Sequence, residues 1–321
     1  MESEIDSAAF LLHGMHLAVC TSAFLTNLLL LYLLTRFTVF HHHMKIIMIN
    51  LTLSVNAAVF YLLIRSTIGL VQIWRKTEND EKYYELPMDP ADCAFSESVP
   101  QTLCVLFFMF PLILVTERCY ATQKFWQYEN EHIPAVFGVV CAVLWIPTIV
   151  EVLSFLFHLS FPSSLAICQI SMLHKTFLQR NIWFIIVSTF CLLFAGLFKF
   201  LEMQNKANED DYVKNHYSTI SIRFQIRENI KTCRFAVSLN SLFFVSFLVF
   251  FLFDQNNGSD LEDSAMRREY LFLIFPMFAL IYAVHFITSH SQLFDKAKRT
   301  LRSLMPGQIG LNKEQQKFLQ S

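Results

Sequence analysis

Seven apolar runs, each of a length that can cross a bilayer, dominate this chain and leave little choice of fold. They cover about residues 9–35, 46–73, 98–120, 133–157, 181–203, 232–253 and 269–290. A helix needs roughly 20 apolar residues to cross about 30 Å of hydrocarbon. Lipid offers no partner for exposed backbone N–H and C=O groups, so each run is expected to be helical. The second run holds Arg65, and the fourth holds Pro147 and Glu151. The competing count is therefore six spans with one buried amphipathic helix. Composition agrees with a membrane chain, since only 16% of the residues are charged, against about a quarter in a soluble domain. The 34 phenylalanines, set against 7 glycines and 9 prolines, exclude disordered and collagen-like classes. A formal net charge of −1 argues against nucleic acid as a partner. The expectation is an all-α seven-transmembrane helix bundle over residues 1–290, followed by a tail over 291–321.

The loops give the orientation. With the amino terminus outside, the inner side holds Arg36, Lys45, Arg118, Lys124, the seven Lys and Arg from Lys199 to Arg234, and the six from Lys296 to Lys317. The outer side holds Arg75, Lys76, Lys82, Lys175, Arg180, Arg267 and Arg268. Seventeen basic residues against seven is the bias expected of a cytoplasmic face. The acidic start, Met1-Glu-Ser-Glu-Ile-Asp6, lacks the basic stretch that opens a cleavable signal. The first run is therefore expected to persist as a span, with the amino terminus outside.

Two features bear on that topology. Asn257-Gly258-Ser259 is a glycosylation sequon in the last outer loop, whereas Asn50-Leu51-Thr52 lies within a span, beyond a transferase's reach. Of eight cysteines, only Cys93 and Cys168 fall on the outer side, where disulfides persist. They read either as a bridge pinning the second outer loop over the bundle or as two extracellular thiols. A bridge would contribute on the order of 2–4 kcal/mol.

At the inner end of the third span stands Glu117-Arg118, roughly 37 Å of helix beyond Cys93. An acid and an arginine there are costly to bury unless paired. They read either as a latch that a moving helix opens, or as an arginine reaching lipid phosphates beside a solvated glutamate. The third inner loop is the longest and most basic. Within it Arg223, Arg227, Lys231 and Arg234 recur at helical spacing, with Ile222, Ile226 and Ile230 beside them. This predicts an inward extension of the sixth helix, its basic stripe facing lipid headgroups or an acidic protein. Positive-inside anchoring alone would also explain the charges.

Glu117-Arg118-x-x-Ala121-Thr122, together with Ser221-x-Arg223-Phe224-Gln225-x-x-Glu228-Asn229, resembles the nematode serpentine chemoreceptors of the Sra superfamily (Sra, Srab, Srb, Sre). Length, span number and loop proportions are also similar, so the resemblance covers nearly the whole chain. It implies a G-protein-coupled receptor in the plasma or ciliary membrane of sensory neurons, detecting small environmental molecules. Likeness to rhodopsin-like receptors is looser. Asn27 and Asn50-Leu51-x-Leu53-Ser54 resemble polar motifs of their first two helices, and Glu117-Arg118 their acid–arginine pair. However, Val55 and Asn56 stand where an acid is expected. Span seven has Pro276 and Tyr282 without Asn-Pro-x-x-Tyr, and span six has no proline.

Beyond span seven, Phe294, Ala297, Leu301, Leu304 and Met305 share one helical face, and Lys296, Lys298, Arg299 and Arg302 take the rest. A short amphipathic helix in the inner interface is expected. No cysteine lies there to carry a palmitoyl chain.

Arg65 and Glu151 are charges in the outer halves of spans, which makes them ligand candidates. They could equally pair with each other or reach the interface. Phe108 and Phe155 belong to an aromatic outer half that suits an apolar, odorant-like ligand better than an amine. His285 in span seven reads as an interior hydrogen-bonded residue.

Other functions fit less well. His41-His42-His43 is similar to one histidine box of membrane di-iron enzymes, which need several; His132 and His216 stand alone. Neither phosphate loop nor serine elbow occurs, so no enzyme, metal site or cofactor is expected. The alternative is a transporter or ion-channel sensory protein without G-protein coupling. No internal repeat supports a transporter, and the charge count opposes the inverted orientation of seven-span sensory channels.

Overall fold

The computed structural model describes residues 2–37, 40–79, 106, 109–124, 134–158, 177–214, 220–255 and 261–304. Among the described residues eight helices follow one another: α1 (Glu2–Arg36), α2 (His42–Asn79), α3 (109–123), α4 (Pro134–His158), α5 (Phe177–Lys214), α6 (Ile220–Gln255), α7 (Leu261–Ser289) and α8 (Ser291–Leu304). No strand occurs among the described residues. The helices α1 to α7 fall on the seven apolar runs, and the chain is an all-α membrane bundle. Taken singly, α1, α2, α5 and α6 contain segments long and apolar enough to cross a bilayer: Phe10–Arg36, His42–Val71, Ile185–Asp211 and Ile222–Val249. The apolar part of α4, Val136–Val150, is shorter. From Leu273 to Ser289 α7 is apolar, and the chain then turns through 108° into α8.

Side chains are sorted as lipid requires. The outward face of α4 shows Val136, Val139, Val143, Ile146 and Ile149, and that of α5 shows Ile185, Phe190, Leu193 and Phe200, all exposed. In water such a continuous apolar surface would be a liability; against acyl chains it costs nothing. The interior, by contrast, encloses Asn27, Thr52, Ser54, Asn205 and Asn240 among its apolar side chains. The main cluster runs through Leu30, Met48, Val59, Phe110, Phe198 and Phe286. Around it α1 packs on α2 and α7, α4 on α2, and α6 on α5 and α7.

With no difference in hydrophobicity between lipid and helix, polar bonds and close approach hold such bundles, each bond contributing roughly 0.6–2 kcal/mol. Asn27 Nδ2 donates to the carbonyls of Ala23 and, at 3.1 Å, Ala279, joining α1 to α7. Thr52 Oγ1 and Tyr282 Oη meet at 3.0 Å, joining α2 to α7. Trp145 Nε1 donates to Asn50 Oδ1 at 3.0 Å, joining α4 to α2. The looser rhodopsin-like motifs thus supply the staples. Near the opposite end the His13 ring of α1 fills the space over Gly69 of α2: a Cβ there would stand 2.7 Å from it.

Two elements, α5 and α8, differ in detail from the sequence reading. The helices α5 and α6 both overshoot their apolar runs, to Lys214 and from Ile220, so the third loop is mostly helical. The α6 extension follows from its 4-residue stripe; that of α5 depends on charged pairs within the helix, described below. On α8, Leu293 and Ala297 face the bundle, whereas Phe294 and Leu301 are exposed. The helix therefore has two apolar edges, one for protein and one toward the surrounding lipid.

Candidate functional site

The described polar interactions between helices are densest where α3 ends. Glu117 and Arg118 are both buried, 0% and 1% exposed. Arg118 Nε and Nη2 donate to the two carboxylate oxygens of Glu117, fork against fork. Its Nη1 donates across to Asn229 Oδ1 on α6 at 2.6 Å. Bidentate pairing and a further acceptor are what make a desolvated guanidinium tolerable. Arg118 is therefore folded inward onto α6, not extended toward an interface.

Two more bonds close this end. Thr122 Oγ1 donates to the Arg118 carbonyl at 2.8 Å and accepts from Asn205 Nδ2 on α5 at 2.9 Å. The backbone N–H of His41, just ahead of α2, donates to Glu228 Oε1 on α6 at 2.9 Å. The first N–H groups of a helix lack internal acceptors and carry its positive dipole end, so an acid fits there. In this way α6 is held to α3 and α2, and α5 to α3. A cleft lined by His41, Arg118, Ala121, Gln225, Glu228 and Asn229 lies among these bonds.

The basic stripe faces α5 in part. Arg227 Nε donates to Glu209 Oε1 at 2.6 Å. Arg234 Nε and Nη2 both reach Glu202 Oε1 at 3.3 Å. Glu202 is itself buried and also receives Lys199 and Lys206 at 2.9 and 2.7 Å. Lys231 is exposed and Arg223 half-buried. Ile222, Ile226 and Ile230 are buried as a cluster of their own.

Sequence reasoning singled out Arg118 but not its acceptor. Glu228 and Asn229 stand in the family-like motif without a role that spacing reveals, and Asn205 and Glu202 escape a reading based on basic residues. A signal for Glu202 existed in its spacing from Lys199 and Lys206, three and four residues away.

Elsewhere, Arg65 is half-buried on α2. Glu151 and Phe155 lie on α4, with their side chains outside the described set, and Phe108, Cys93, Cys168 and Asn257 lie outside the described residues. His285 stacks on Phe235 with ring centroids 5.7 Å apart. The rings of His41 and His43 meet edge to face at 4.9 Å. Among the described residues no group of three His, Cys, Asp or Glu could hold a metal ion.

An all-helical membrane bundle whose third helix ends in a buried Glu–Arg pair bonded to the sixth has the build of a seven-helix receptor. The family model for serpentine type 7TM GPCR receptor class ab chemoreceptors matches residues 4–318, so the chain belongs to that family of multi-pass membrane receptors. No curated protein matches it with significance. Within the Sra superfamily, class ab is thus its place.

Proposed function

We propose that this chain carries the binding of a small, largely apolar molecule at its outer half to a heterotrimeric G protein at the Arg118 end. Membership of a chemoreceptor family supports the general role. The observation that carries the coupling reading is the bond from Arg118 to Asn229, which ties the third helix to the sixth where a cytoplasmic partner would dock. In the closed state the guanidinium is spent on Glu117 and Asn229. When α6 moves away from α3 the guanidinium is released toward the cleft, and the stripe of Arg223, Arg227, Lys231 and Arg234 lies beside the same partner. A ligand drives this only by binding the open state better than the closed one.

The orientation is the one the loop charges favour: amino terminus outside, residues 1–290 as the receptor bundle, residues 291–321 inside. A Cys93–Cys168 bridge and a glycan on Asn257 would then mark the outer face. Arg65, Phe108, Glu151 and Phe155 are the pocket candidates. The test is Arg118→Ala, expected to reach the cell surface and to lose odorant-evoked nucleotide turnover on the G protein. Undiminished turnover in that variant would falsify the coupling role.

A further inference from the structure

The two ion pairs between α5 and α6 share a register. From Glu202 to Glu209 on α5 is a step of seven, and from Arg227 to Arg234 on α6 is the same step in the opposite direction. Glu202 pairs with Arg234, and Glu209 with Arg227. Seven residues span about 10.5 Å along a helix and return side chains to nearly the same face. Two rungs thus join an antiparallel helix pair, with both rung acids on α5 and both rung arginines on α6. Ile222, Ile226 and Ile230 are buried over the same stretch of α6. The upper rung is anchored by a carboxylate that is only 2% exposed and that Lys199 and Lys206 hold from its own helix. One rung would let the helices swivel about it; two, a turn or more apart, fix their relative direction.

Among the described hydrogen bonds, this pair meets α3 through Asn205 on Thr122 and Asn229 on Arg118. We infer that α5 and α6 leave α3 as one body, and that Glu202, Glu209, Arg227 and Arg234 are positioning residues that couple those two bonds. Opening then breaks both contacts with α3 in a single step. It follows that part of the basic stripe is structural: Arg227 and Arg234 hold α5, while Lys231 is exposed. The geometry stands by itself, and its meaning for signalling rests on the coupling role proposed above.

Distances between nitroxide labels test this on the full-length receptor in lipid nanodiscs. Labels carried on non-natural amino acids avoid the native thiols, and Gln123 on α3, Ala207 on α5 and Phe224 on α6 are exposed sites for them. Asn229→Ala frees α6 from Arg118. With the rungs intact, the 123–224 and 123–207 distances should lengthen together and 207–224 should stay constant. Adding Arg227→Gln and Arg234→Gln, both at exposed side chains that leave the core untouched, should let 123–224 lengthen alone while 207–224 broadens. Movement of α6 alone with the rungs present overturns the inference. So does joint movement after they are cut, or no displacement in either background. Nucleotide turnover measured on the same samples separates the two claims. Joint movement without turnover leaves the clamp standing and removes the coupling role; turnover with independent helices does the reverse.

Discussion

Arg118 illustrates how a single buried charge constrains the experiments made on it. Removing one member of a buried ion pair leaves the other desolvated and uncompensated, at a cost of about 3–5 kcal/mol. Arg118→Ala strands Glu117 in that state, so part of any loss could come from misfolding. The double variant Glu117→Gln/Arg118→Met removes both charges and keeps the volume. It should retain more surface expression than Arg118→Ala while signalling equally poorly, as surface labelling beside turnover would register. A second residue-scale prediction concerns Gly69. Valine there would bring its Cβ against the His13 ring, which fills the space over the glycine and must turn aside to admit it. Overpacking of that kind costs about 1–3 kcal/mol. Gly69→Val should lower the thermal unfolding midpoint in detergent, and His13→Ala added to it should restore much of the loss. Were Gly69→Val as stable as the parent, the His13 ring would not be fixed over the glycine.

Among the elements, α8 is the one whose orientation its sequence left ambiguous. Periodicity alone makes Phe294, Ala297 and Leu301 a single apolar face, yet the contact with the bundle runs through Leu293 and Ala297. The 108° turn at the end of α7 decides which edge meets protein, and a turn angle leaves no trace in periodicity. Cation–π contact adds to the docking, with Lys296 Nζ 3.8 Å from the centre of the Phe37 ring. Leu293→Asp should therefore release α8 from the bundle, visible as faster amide exchange over 291–304. Phe294→Ser should leave exchange there unchanged in detergent. A Leu293→Asp helix as protected as the parent would refute that docking. The same limit applies to α5. Its apolar run was plain, but its continuation to Lys214 depends on pairs whose acids a count of basic residues passes over.

At the scale of the whole molecule the fold was legible because lipid leaves so few options: apolar runs must be helices, and their number fixes the class. The family pattern was legible for a related reason, since its two motifs turn out to meet in space as Arg118 and Asn229. That juxtaposition, across 111 residues of chain, is a product of packing and carries no local signal. Topology remains the most economical test of the assembled picture. A tag fused at the amino end should be accessible on intact cells, and one at the carboxyl end only after permeabilisation. Both tags responding to antibody without permeabilisation would end the seven-span reading. The polar staple between α2 and α4 has a practical consequence. Trp145 is one of four tryptophans, and its indole N–H is committed to Asn50. Indole emission shifts in wavelength when that donor changes partner. The receptor thus carries its own lamp at the seam where α4 leans on α2, and the colour of that lamp would tell whether the seam parts.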